Sequence, residues 1–357
     1  MKKPIFIIPF IILSLLIGVY SGWLRTGLQF HFIPGIAEHG AIMVGSFLAT
    51  VIMVERIITF RKKIIFLLPL INALSLLFFL FDQYKIGYIL LIVGSLGLTI
   101  IMIYFTFKFK ELHNYLLTIG ALCLMAGNFF LILTGKYPPA TIWWIAFFFF
   151  TIVAERLELT RYLPVAKVQK ILLTVFLLIF IAGILMKFHL YGKYLCSISL
   201  VLTAAWLLKY DIATKNIRKT GLFKYLGVLL LTSYIWLLVT AGIFLIESNS
   251  MLVFEAGLHA FFLGFVFSMI FAHAPIILPG IIGQNVKVFN QILYIWFYLL
   301  QISLILRITG DLFGSYEWRQ ITSIFNGIAI FGFFISVFLI VKKQVSAVRG
   351  KSVEIKK

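Results

Sequence analysis

Twelve apolar stretches, separated by short polar connections, constrain this chain more than any other feature. They run at roughly 4–24, 34–54, 64–81, 87–107, 114–134, 139–155, 168–188, 191–208, 222–246, 252–274, 286–308 and 320–341. About 20 apolar residues in helical form match the hydrocarbon thickness of a bilayer. In that medium every backbone N–H and C=O must find a partner, so each stretch reads as a spanning helix. Hydrophobic residues are 62% of the chain and charged residues 12%, more apolar surface than a soluble domain uses. The expected fold is an all-α integral membrane protein with twelve transmembrane helices, a single membrane domain over 1–357. The first stretch lacks a small-residue cleavage site and is expected to remain as a helix.

The formal net charge of +19 does not call for a nucleic-acid partner. With the N-terminus placed in the cytoplasm, 24 Lys and Arg fall on the cytoplasmic side and seven outside, the latter including Arg25, Arg307 and Arg319. That is the positive-inside bias, and it places both termini inside. A bacterial or archaeal inner membrane fits the topology, with a basic cytoplasmic tail over 343–357. The lipid bilayer is the one partner this pattern requires. Cys123 and Cys196, both in apolar stretches, read as small packing residues.

The stretches also repeat. The first, fifth and ninth begin near 4, 113 and 221, which divides the chain into units of about 4–110, 111–220 and 221–345. The second helix of each unit ends in related text: SFLATVIMVERIITFR, FFFFTIVAERLELTR and GFVFSMIFAHAPIILP. The pattern predicts three four-helix units about a pseudo-threefold axis, with segments 2, 6 and 10 in comparable inner positions. No phosphate-cradling glycine loop is present, so ATP-driven work by this chain is not expected.

Ionisable residues inside these stretches are the functional candidates, because each is costly in lipid. His39 in segment 2 and His259 in segment 10 enter from the outer side at similar depth. Imidazole is the commonest metal and haem ligand. Gly40, Gly45 and Ser46 follow His39, while Gly257, Ala260 and Gly264 surround His259, leaving room for a flat macrocycle. The pair is expected to ligate haem b; the alternative is that each His ties two helices together. Glu38 adjoins His39, and Glu255 lies one turn from His259. They either orient the imidazoles or complete a two-His, two-carboxylate site for a transition metal such as Zn, Fe or Mn.

At the inner end lie Glu55, Arg56, Glu155, Arg156, Glu158 and His273. Fourteen residues separate His259 from His273, which in a regular α-helix puts them on nearly one face, about 21 Å apart. The inner group reads as paired buried charges, Arg56 and Arg156 against the acids. The functional version is a proton or ion path through Glu55, Glu155, Glu158 and His273. Arg307 and Asp311 are spaced i, i+4 and read as an exposed or half-buried ion pair. His113 reads as interfacial, and His31, in the first outer loop, as solvated. Asn72, Asn128, Asn326 and Gln301 are expected to bond between helices. Trp143, Trp144, Trp318 and Tyr137 suggest an outer aromatic belt.

EHGAIMVGSFLATVIMVERI in segment 2 and LHAFFLGFVFSMIFAHAPIILPGI in segment 10 resemble the histidine-bearing helices of the haem-copper oxidase subunit I superfamily, and more closely its NnrS-type and uncharacterised twelve-helix branches. The resemblance covers the whole chain in topology, and in text those two helices and the ERLELTR stretch of segment 6. It implies three pseudo-threefold four-helix units and a low-spin haem held by His39 and His259. It also associates the chain with haem, copper and nitric-oxide tolerance. The departures are definite. Segment 6 carries no histidine, and Phe261 stands two residues past His259 where the oxidases have a second one. A haem-copper binuclear centre cannot be built from these residues.

The sequence therefore predicts a haem-b-binding membrane protein that transfers electrons or handles nitric oxide or oxygen. The alternative is a cofactor-free transporter or channel working through the inner Glu/Arg/His cluster. Pro34–Gly35 and Pro275 fall near helix ends, away from the midplane breaks usual at transporter sites. A redox partner or respiratory complex is the partner class the first reading implies.

Overall fold

The computed structural model describes residues 5–29, 35–58, 60, 63–248, 250–282 and 286–354. His31 and Pro34 lie outside the described residues. Every regular element described is helical. Ten helices are long and apolar enough to cross a membrane, which is the make-up of a multi-pass helical membrane protein. In chain order the helices are α1 (Ile8–Arg25), α2 (36–57), α3 (Leu67–Leu80), α4 (Tyr84–Phe109), α5 (Leu112–Thr134), α6 (Tyr137–Leu159), α7 (Lys167–Leu185), α8 (Lys193–Tyr210), α9 (Gly221–Phe244), α10 (251–282), α11 (Ile292–Phe313) and α12 (Tyr316–Glu354). The other two are α2, which changes from 3-10 to π to α geometry along its length, and α3, which with the turn before it forms a shorter apolar helix, Ile64–Leu80.

Compactness divides the chain into two units, 1–199 and 200–357, with the boundary inside α8. In the first unit α3, α4, α5 and α6 pack as successive antiparallel neighbours, and α1 and α3 flank α2. In the second, α9 packs on α10, and α11 pairs with α12.

Local chemistry explains the helix ends. Gly135 (φ 62°) and Gly314 (φ 71°) terminate α5 and α11 in the left-handed conformation that other residues resist. Pro138 and Pro139 sit in the first turn of α6, where no intrahelical donor is lost. The side chain of Asn290 accepts the amide of Ile292 at 3.0 Å and starts α11 six residues later than hydropathy alone predicts. α10 runs through Pro275 and Pro279 instead of stopping near the first, and α12 continues to Glu354, well into the expected tail.

Both α2 and α10 contain a long π-helical segment, Ala41–Ala49 and Ala260–Phe267. Each begins just after a candidate histidine. A π segment shifts hydrogen bonds to i→i+5, is rare, and clusters at functional sites. Its carbonyls need support in lipid. In α2, Asn72 Nδ2 donates to the Gly45 carbonyl at 2.7 Å and to Thr50 Oγ1 at 2.9 Å, and Ser46 bonds Ser75 at 2.7 Å. In α10, Gln301 Nε2 donates to Ser268 Oγ at 3.1 Å while its carbonyl accepts Trp236 Nε1 at 2.6 Å. The Trp236 ring lies where a Cβ on Gly264 would be, 2.4 Å away. Gly264 therefore lets α9 close on the π segment.

Candidate functional site

The outer candidates belong to the two units separately. In the first unit the His39 ring reaches α1. Its Nδ1 lies 2.8 Å from the Gly18 carbonyl and 3.2 Å from Ser21 Oγ. A carbonyl only accepts, so Nδ1 carries the proton and Nε2 the lone pair. Gly22 provides the space: a Cβ there would sit 3.0 Å from His39 Cε1.

Glu38 takes no part in orienting that ring. It is 6% exposed, and its Oε2 accepts from Tyr88 at 2.5 Å and Tyr137 at 2.6 Å. Tyr137 is thus a buried-site donor rather than a belt residue. Trp144 is likewise 0% exposed, bonded through Nε1 to Asn128 at 3.0 Å. Of the expected belt, Trp318 is exposed. Hydrogen bonds to charged groups contribute about 1.5–3 kcal/mol, so Tyr137→Phe is expected to lower stability by about that amount. A thermal-unfolding midpoint within error of wild type would show that Glu38 does not depend on this phenol.

In the second unit His259 Nδ1 donates to the Glu255 main-chain carbonyl at 2.7 Å, not to its carboxylate. The Nε2 lone pair accepts Arg307 at 3.1 Å. The Glu255 carboxylate is ion-paired with Arg319. Asp311 lies between the two arginines, 3.9 Å from Arg307 Nε and 3.4 Å from Arg319 Nε, and is 2% exposed. Both of its carboxylate oxygens are buried without a hydrogen bond among the described residues. The Arg307–Asp311 pair, expected to be exposed or half-buried, is instead buried and joins a network with Arg319, Glu255 and His259. Arg319, read from sequence as an outward basic residue, belongs to its centre.

Among the described residues no three His, Cys, Asp or Glu side chains converge as a metal ion would need. The carboxylates of Glu38 and Glu255 are each engaged within their own unit.

At the inner end of the first unit, Arg56 of α2 is ion-paired with Glu155 of α6. His113, expected to be an ordinary interfacial residue, sits between two acids: its Nδ1 is 3.2 Å from Glu111 and its Nε2 3.9 Å from Glu158, which Arg161 also approaches at 3.5 Å. Arg156 is buried and Glu55 half-buried. His273, in the second unit, donates Nδ1–H to the Met269 carbonyl at 2.7 Å. The one-face geometry predicted for His259 and His273 assumed a regular α-helix, and an eight-residue π segment lies between them. Cys123 and Cys196 are free and buried.

Tyr88 and Ser21 complete the outer sites and carried no signal of their own in the sequence, being ordinary residues of apolar helices. No curated protein and no solved structure matches the chain. A family model described as Domain of unknown function (DUF8744) matches residues 5–342, and the chain belongs to that family.

Proposed function

We propose that this chain is a haem-b-binding integral membrane protein of twelve spans in three four-helix units, with His39 and His259 as axial ligands. It would carry electrons or handle nitric oxide or oxygen, without a haem-copper binuclear centre. The observation that carries the reading is the shared state of the two imidazoles. Each donates Nδ1–H to a main-chain carbonyl and keeps its lone pair on Nε2. That is how proteins orient a histidine that ligates iron. Each also stands one or two residues before a π segment, a correspondence that supports relating α2 to α10. The haem would supply a one-electron carrier, held by the imidazoles of His39 and His259. Arg307 would exchange His259 Nε2 for Asp311, whose buried oxygens lack hydrogen bonds.

The inner-membrane placement with cytoplasmic termini, and a redox partner or respiratory complex, are parts of the same proposal. A cofactor-free transporter or channel is the second reading. It is favoured by the half-buried ion pair Arg56–Glu155 and by His113 standing between Glu111 and Glu158. Its path would run through Glu55, Glu155, Glu158 and His273.

The test is a dithionite-reduced minus air-oxidised spectrum of detergent-purified protein, with a pyridine haemochrome assay and elemental analysis. A sharp α band with about one haem per chain is the expected result. Stoichiometric metal without haem would move the assignment to Glu38, His39, Glu255 and His259. Neither haem nor metal would overturn both, and flux in proteoliposomes would then decide for the transporter.

A further inference from the structure

A groove of about 480 Å³ lies in the second unit between the starts of α9 and α11. From α9 it is lined by Gly221, Lys224 and Val228, and from α11 by Gln291, Tyr294 and Tyr298. Each set recurs every three or four residues, so each is one face of its helix. The groove thus follows two helix axes for about two turns, roughly 10 Å. One end is polar, with Lys224 and Gln291; the other is walled by Val228 and the exposed ring of Tyr298.

Its floor is fixed. The Tyr294 ring stacks on Tyr298 at 5.9 Å and meets Tyr225 edge-on at 5.0 Å. Tyr225 is buried, and its hydroxyl donates to the Phe271 carbonyl at 3.1 Å.

The charge around the polar end has one sign. Lys215, Arg218 and Lys219 precede Gly221, and Lys287 precedes Phe289, which also lines the groove. Between Lys209 and Lys224 the sole acid is Asp211, and its Oδ1 is occupied by the Ala213 amide at 2.8 Å. No Asp or Glu occurs from 256 to 310. The first N–H groups of α9 add positive potential at the same end.

We propose that this groove seats an anionic phospholipid, with the phosphate headgroup at Lys224 and Gln291 and an acyl chain along Val228 and Tyr298. A polar, cationic end continuing into an apolar wall at the end of a spanning helix matches an amphiphile, whereas a free anion would leave the apolar wall unused. Tyrosine rings favour this interfacial depth, and basic pockets between spanning helices suit anionic headgroups. The proposal does not depend on haem.

The experiment is native mass spectrometry of the full chain in neutral detergent, titrated with dioleoyl phosphatidylglycerol, dioleoyl phosphatidylcholine or inorganic phosphate. Wild type is expected to retain phosphatidylglycerol in preference to phosphatidylcholine. In Lys224→Gln that retention falls about fivefold, the effect of one cation at a lipid surface, and in Lys224→Glu it falls further. Val228→Trp fills the groove without changing charge and is expected to lose the bound lipid too. Lys342→Gln, on the exposed surface of α12, is expected to match wild type. Lys224 is itself exposed, so its variants should keep the wild-type unfolding midpoint. Equal retention of the two lipids, unchanged retention in Lys224→Gln and Val228→Trp, or displacement by millimolar inorganic phosphate would each overturn the proposal.

Discussion

In His39→Ala and in His259→Ala the haem b absorption is expected to disappear, and in His273→Ala to persist. All three imidazoles donate Nδ1–H to a main-chain carbonyl, so the tautomer alone does not separate them. His39 stands two residues before the π segment of α2 and His259 directly before that of α10, whereas His273 follows the second one. Truncation at His39 removes contacts to Gly18 and Ser21, each a neutral hydrogen bond contributing about 1 kcal/mol. At His259 the released Arg307 keeps Asp311 beside it. Neither change is large enough to unfold the bundle, so loss of haem from protein with a near-wild-type unfolding midpoint would report ligation. Stoichiometric haem in both variants would sink the assignment, and loss in His273→Ala alone would move the site to the inner end of α10.

The helices were legible because lipid enforces them. Runs of apolar side chains about 20 residues long have one backbone solution in a bilayer, and the observed bounds follow hydropathy closely where Gly135 ends α5 and Pro138 and Pro139 open α6. Where a polar side chain sets the end, as Asn290 does for α11, hydropathy alone misplaced it. The π segments were not legible. Residues 41–49 and 260–267 are apolar apart from Ser46, with no polar stripe whose period could report a change of pitch. They are stabilised from outside, by Asn72 on α3 and by Trp236 on α9, and such support is written far away in sequence. The same distance hid the site's polar partners. Glu38 and Glu255 could be named as buried candidates, but Tyr88, Tyr137 and Arg319 are 50, 99 and 64 residues away from them. Counting Arg319 as a topology-setting cation assumed that its side chain faces water. A long guanidinium stem at a helix end can equally turn inward to a buried acid, and here it does.

Arg319→Ala is expected to lower stability by about 3–5 kcal/mol, the range for removing one member of a buried ion pair. The size follows from what remains. Arg319 pairs with Glu255 and approaches Asp311 at 3.4 Å, and its own side chain is 10% exposed. Without it, buried Asp311 and half-buried Glu255 face one arginine, and Arg307 is already shared between His259 and Asp311. Glu255, whose side chain is 18% exposed, then loses its ion pair with residue 319. If charge imbalance rather than lost packing is the cause, removing the acid as well should restore much of the loss. Arg319→Gln with Glu255→Gln leaves Arg307 and Asp311 as a balanced pair, and is expected to be more stable than Arg319→Gln alone. Lysine at 319 should rescue only in part, because an ammonium cannot present the guanidinium's fork to two carboxylates. Unfolding midpoints in detergent measure all four proteins. A loss below about 1 kcal/mol in Arg319→Ala, the range of exposed pairs, would mean that the network is solvated. A double variant no better than Arg319→Gln would assign the cost to packing, and the reading of residues 255, 307, 311 and 319 as one charge-balanced unit would fall.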